Sequence, residues 1–198
     1  MSNLSIFDGA KVLITGHNGF KGTWLSSWLL KLGAEVTGAS LEVSTEPSHY
    51  KFSLLDKHID SHIIDIRDFS AISSLFTSVK PDFVFHLAAQ ALVRKSYEDP
   101  LETWQTNTIG TLNIMESLRS LENECISIMI TSDKAYDNVE WDWGYRETDA
   151  LGGPDPYSGS KGAAELAIRS HIKSFFPSSH PVKVGIGRAG NVIGGGDW

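Results

Sequence analysis

A chain of 198 residues, 41% apolar and 21% charged, has the make-up of an ordinary globular protein with one well-filled core. Its formal charge of −7 argues against nucleic acid or an anionic membrane as partner. The single cysteine, Cys125, leaves no internal disulfide and fits a reducing compartment. No basic-then-apolar leader and no apolar run of membrane-spanning length is present, so a cytoplasmic protein is expected.

The chain opens with a β-type run over 11–15 that leads into Gly16, Gly19, Phe20, Lys21 and Gly22. Glycine allows a sharp exit from a strand and lets backbone N–H groups come close to a phosphate. The helix start behind them offers partial positive charge and free donors. The spacing is G-x-x-G-x-x-G, one residue away from the common dinucleotide fingerprint. Nucleotide binding is the expectation; a strand–turn–helix with incidental glycines is the alternative. The helix that follows puts Phe20, Trp24, Leu25, Trp28, Leu29 and Leu32 on one face, closed by Gly33.

Further strands are predicted over 35–39, 62–66, 82–87, 127–131 and 183–187, and helices over 69–79, 101–121 and 158–175. This alternation predicts an α/β fold, a doubly wound parallel sheet of Rossmann type with right-handed crossovers. Ligands in such sheets sit at the carboxyl ends of the strands. Two stretches break the rhythm: a polar connection over 42–57, and residues 136–156 with Trp141, Trp143, Tyr145 and the Gly152-Gly153 pair. A connection as long as the second is usually functional.

The strand ends carry the candidate chemistry. Asp65, before Ile66, either accepts from an adenine amino group or caps the next helix. Leu87, Ala88 and Ala89 bring small side chains, hence backbone, against a cofactor. Thr106 and Asn107 lie inside a helix and need partners, for which the strand-four loop is the candidate. Thr131-Ser132-Asp133-Lys134 ends strand five with a hydroxyl, a carboxylate and an amine, read either as substrate-facing groups or as a capped turn. Tyr157 and Lys161 stand four apart at a helix start and so share a face. An ammonium beside the phenol would lower its pKa and make it a general base. Arg188 and Asn191, after strand six, are candidates for a diphosphate, with a plain surface arginine as the other reading. His17, His49, His58, His62 and His86 lack metal-ligand spacing, and no metal site is expected.

Taken together, these motifs resemble the extended short-chain dehydrogenase/reductases. Several stretches are similar to the sugar-nucleotide 4,6-dehydratases, in particular their CDP-glucose branch: residues 15–22, Ala88-Ala89-Gln90, residues 131–134, the Trp141–Glu147 loop, Asp155-Pro156-Tyr157-Ser158 and residues 188–198. The resemblance implies NAD as cofactor, with NADP left open because Ser40 and Glu42 replace the usual acid at the end of strand two. It implies cofactor contacts from Gly16, Gly19, Phe20, Lys21, Gly22, Asp65, Ile66, Leu87, Ala88, Ala89, Thr106, Tyr157, Lys161 and Val192. Substrate contacts are implied for Gln90, Ser132, Arg188 and Asn191. Tyr157, supported by Lys161, would take the proton of the glucose 4-hydroxyl while C4 gives hydride to NAD, Asp133 would protonate the leaving 6-oxygen, and hydride would return to C6. Lys134 stands where many of these dehydratases carry a glutamate as C5 base. The resemblance also implies a smaller substrate domain after this point, so residues 1–198 would be a cofactor domain holding the catalytic residues and lacking that domain. A homodimer or homotetramer built through helices 101–121 and 158–175 is implied, as is a role in supplying deoxysugars for lipopolysaccharide O-antigen. An epimerase or reductase of the same superfamily, or an inactive dinucleotide-binding piece, are the competing readings.

Overall fold

The computed structural model describes residues 4–43 and 45–197; Trp198, quoted above, lies outside the described residues. Six parallel strands form one sheet: β1 (Lys11–Thr15), β2 (Glu35–Ser40), β3 (Asp60–Ile63), β4 (Phe83–His86), β5 (Cys125–Ser132) and β6 (Val182–Ala189). Their order is β3-β2-β1-β4-β5-β6, the doubly wound arrangement whose direction of progression reverses between β1 and β4. Leu13 of β1 stands beside Thr37 of β2 and Val84 of β4, so both halves of the sheet meet at the strand that feeds the glycine turn.

Side-chain alternation along the strands divides the core in two. On one face Leu13, Val84 and Met129 pack with Ile72, Leu75 and Phe76 of α3 (Phe69–Val79), Ile114, Met115 and Leu118 of α6 (Thr111–Arg119), and Ile168 of α7 (Pro156–Phe175). On the other, Val12, Ile14 and Val36 pack with Leu29 of α1 (Phe20–Lys31). The α1 face buried completely consists of Gly22, Thr23, Ser26 and Leu29. Trp24 and Trp28 of the apolar stripe are 50% and 55% exposed. Close approach of α1 to the sheet selects small side chains, and the tryptophans are turned outward by it. Gly33, with φ of +89°, ends the helix as expected.

Strand three lies earlier than the sequence predicts. Its polar run gives no alternation to mark its limits, and Ile64 N–H donating to Ser40 O closes its pairing, which leaves Asp65 and Ile66 in the following loop. β5 and β6 extend further than predicted because they pair from Cys125↔Val182 to Ser132↔Ala189. The connection over 42–57 contains the short helix α2 (His49–Phe52), capped by Ser48. Helix α4 (Val93–Glu98) was not expected from the sequence. The predicted helix over 101–121 consists of α5 (Pro100–Trp104), a π-helical segment (Gln105–Gly110) and α6. The long loop folds back on its base, with Asp137 N–H donating to Ala150 O and Gly152 N–H to Ala135 O. Among the described residues no helix is long and apolar enough to cross a membrane, and no cluster of three or more potential ligands could hold a metal ion.

Candidate active site

Two connected clefts open at the carboxyl ends of the strands, about 400 Å³ on the β1–β3 side and about 590 Å³ over β4–β6. Phe20, Lys21, Leu87 and Ala89 line both. The glycine turn shapes the first. Gly16 has φ of +75°, and a Cβ on it would lie 2.8 Å from Ala88 N. A Cβ on Gly22 would lie 2.0 Å from Gly16 O. Gly19 differs: it is extended, caps α1 without a side-chain bond, and a Cβ there would meet only Gly16 O at 3.5 Å. The turn is therefore packed tightly on two sides and bare on the third, where the first N–H groups of α1 point outward. This shape and donor set fit the diphosphate of a dinucleotide.

Asp65, Ile66 and Ala88 line the outer cleft with Thr106, and Ser40 and Glu42 form its far wall. Asp65 accepts from Arg67 N–H at 2.9 Å and from Arg67 Nε, and the guanidinium holds its carboxyl below the usual range. The helix-cap reading of Asp65 is corrected, since Asp68 caps α3 by accepting from Ala71 N–H. Ser40 is bonded to His17 Nδ1 at 2.9 Å, and His17 Nε2 reaches Ser61 Oγ at 2.8 Å. Burial pushes this imidazole down to about 4.

The strand-four loop is fixed by polar groups. His86 lies between Thr15 Oγ1 (2.7 Å) and Thr111 Oγ1 (3.1 Å); burial, with Lys161 nearby, pushes it down to about 3. Asn107 finds its partners in that loop, accepting from Gln90 N–H and donating to Gln90 O, and it also donates to Ser160 Oγ on α7. The Gln90 side chain does not face the substrate cleft. Its amide is buried, donates to Leu92 O and Thr103 Oγ1, and accepts from Leu92 N–H. In the structure Gln90 serves as a local tie within this loop.

The second cleft brings together Ser132, Asp133, Lys134, Tyr157, Lys161, Asn191 and Val192. Ser132 both caps the short turn Asp133–Ala135, accepting from Lys134 N–H, and donates its hydroxyl to Asp133 Oδ1 at 3.1 Å. The turn and the cleft-facing readings of this segment hold together. Tyr157 lies in the first turn of α7, whose Asp155 cap accepts from Ser158 N–H. The expected lowering of its pKa is not found. Burial raises the phenol above its ordinary value, Asp133 and Asp155 add to this, and the Ser132 hydroxyl opposes it. Lys161 is not among the causes of this shift; its own pKa is lowered by burial, with Lys21 second, from 10.5 to about 8.

Arg188 is also relocated. Its Nε and Nη2 grip Glu165 of α7 at 2.6 Å and 2.5 Å, and its guanidinium lies 4.3 Å over the Tyr136 ring. Its partners in the structure are thus a fully buried carboxylate and an aromatic ring. Glu165, to which Thr131 donates at 2.7 Å, was missed in the sequence. The available signal was a glutamate on the helix face already marked by Tyr157 and Lys161.

A family model described as GDP-mannose 4,6 dehydratase matches residues 13–178. The chain is 48% identical over 202 residues to CDP-glucose 4,6-dehydratase of Salmonella typhimurium, an alignment covering 100% of this chain and 56% of that protein. Among solved structures it is similar to Pal from Bacillus thuringiensis, with a TM-score of 0.74 and 30% identity over 88% of this chain and 54% of that one. It is also similar to UDP-glucose 4-epimerase of Thermus thermophilus in complex with NAD, with a TM-score of 0.74 and 27% identity over 89% of this chain and 53% of the other. The chain thus spans about half the length of the relatives it matches.

Proposed function

The chain belongs to the GDP-mannose 4,6-dehydratase family, and from that premise we propose that it forms the cofactor-binding and catalytic part of a CDP-glucose 4,6-dehydratase that uses NAD. The observation that carries the reading is the meeting of Ser132, Asp133, Tyr157 and Lys161 in a cleft continuous with the glycine cradle. A general base and a separate acid on neighbouring elements suit an oxidation followed by an elimination.

Bound NAD would supply the hydride chemistry, taking hydride from C4 of the sugar and giving it back at C6. Tyr157 takes the proton of the 4-hydroxyl, and the adjacent Lys161 favours the phenolate whenever it carries its proton. Ser132 donates to the 4-oxygen and orients it. Once C4 is a ketone, the C5 proton is acidic. Asp133 protonates the departing 6-oxygen, and water is lost across C5–C6. Lys134 is the candidate for taking the C5 proton, a role an amine fills only when neutral, and for returning it to C5 as hydride reaches C6. Asn191, which lines the same cleft, would donate to a substrate phosphate.

The same reading includes a cytoplasmic homodimer serving deoxysugar supply for surface polysaccharide. Exposed Leu101, Ile109, Leu166 and Phe175 on the two long helices support the dimer. The test is incubation of the intact protein with CDP-glucose and NAD. A 4-keto-6-deoxy product without accumulating NADH is expected, and Asp133→Asn should oxidise C4 yet fail to eliminate water. A 4-epimer as sole product, or undiminished dehydration by Asp133→Asn, would overturn the assignment.

A further inference from the structure

Glu165 is a carboxylate with no exposure and no part in the scheme above. Burying a carboxylate is costly, and a buried ion pair is commonly no more stable than apolar residues of the same volume. Arg188 Nη1 is itself buried with no hydrogen-bond partner among the described residues, so this pair is poorly explained by stability.

Apart from an ion pair with Arg169 on its own helix at 3.6 Å, its connections converge on one short segment. Glu165 accepts from Thr131 Oγ1, and Thr131 immediately precedes Ser132. Glu165 also holds Arg188 through two bonds, and Arg188 lies flat on Tyr136, which follows the Asp133–Ala135 turn. Tyr136 in turn stacks on Tyr145 at 4.9 Å, and Tyr145 meets Trp141 at 5.3 Å. The residues between these two anchors, 132–135, are those that present Ser132, Asp133 and Lys134 to the cleft. Glu165 stands on α7, on the same face as Lys161 and Tyr157, one turn from the first and two from the second.

We propose that Glu165 is a positioning residue: from the helix that carries Tyr157 it pins both ends of segment 132–135, directly through Thr131 and through Arg188 onto Tyr136. It thereby sets Ser132 and Asp133 at a fixed distance from the tyrosine they work with. The inference rests on the dehydratase reading.

The test uses the intact protein and compares Glu165→Leu, Arg188→Met and the double variant. Either single change strands a buried charge or its partner and should lower the melting temperature, and the double change should restore it. With the fold restored, kcat should remain down on the order of 100-fold, the scale of a misplacement near 1 Å. KM for the sugar nucleotide and affinity for NAD should stay within about threefold of the unaltered protein, because the glycine cradle and Asn191 are untouched. Recovery of kcat together with the melting temperature would make Glu165 a strut only and overturn the inference. So would a parallel loss of kcat and NAD binding. If the double variant does not fold, Glu165→Gln, which keeps an acceptor for Thr131 but not the charge for Arg188, must show the same selective fall in kcat. Absence of 4-keto product from the unaltered protein would overturn the dehydratase reading and this role with it, whereas product from an unslowed double variant overturns only the role.

Discussion

Replacing Lys161 by methionine should stabilise the ligand-free protein while ending its chemistry. Lys161 is 8% exposed, and burial, with Lys21 second, lowers its pKa from 10.5 to about 8. At roughly 1.4 kcal/mol per pH unit, the protonated buried amine therefore weakens the fold by about 3 kcal/mol at pH 7. Between pH 8 and 10.5 the unfolded chain binds the proton and the folded chain does not, so stability rises with pH across that window. Below pH 8 the whole penalty is present; above 10.5 it is gone. Methionine has similar length and no charge to bury. Urea denaturation of both proteins without nucleotide should show Lys161→Met more stable by about 3 kcal/mol at pH 7. The gap should close toward pH 10.5, other titrating groups cancelling in the difference. A variant that is equally or less stable at pH 7, or a gap independent of pH, would refute the reasoning.

Two more substitutions probe the cofactor side. Gly22→Ala puts a Cβ 2.0 Å from Gly16 O, so α1 must move; denaturation should show a loss of about 1–3 kcal/mol, and titration a marked fall in NAD affinity. Glu42→Arg exchanges an anion for a cation on the far wall of the outer cleft, where an adenosine ribose would lie. Calorimetry should then show the preference for NAD over NADP falling by about tenfold or more; an unchanged ratio would remove Glu42 from cofactor choice.

The glycine turn and the six strands were legible because each depends on a local pattern: a strand running into glycines, or β-branched runs between helices. Asn107 was also legible, since a polar residue within a helix announces a need for partners. What the sequence hid depends on long-range geometry. Nothing local says that Glu165 will meet both Thr131 and Arg188, because β5, β6 and α7 come together only in the folded sheet. The spacing of Tyr157 and Lys161 suggested a lowered phenol, but spacing carries no information on burial, and burial decides the sign for both. Asp65 and Asp68 can both cap a helix chemically, and the one that stands immediately before Phe69 does so. On α1, the apolar stripe pointed to tryptophans, whereas the distance to the sheet is set by the residues with least side chain.

The π-helical segment Gln105–Gly110 gives the helix over 100–119 a phase step. A residue added to a turn rotates everything beyond it by about 100° relative to a regular helix. Before the step, Trp104 lies against Gly159; after it, Ile114, Met115 and Leu118 face the sheet. At the step, Asn107 spans the gap to the strand-four loop and α7. One helix thus serves two clients at different azimuths. Any alignment that matches this stretch to an unbroken helix without a gap assigns one half of it to the wrong face.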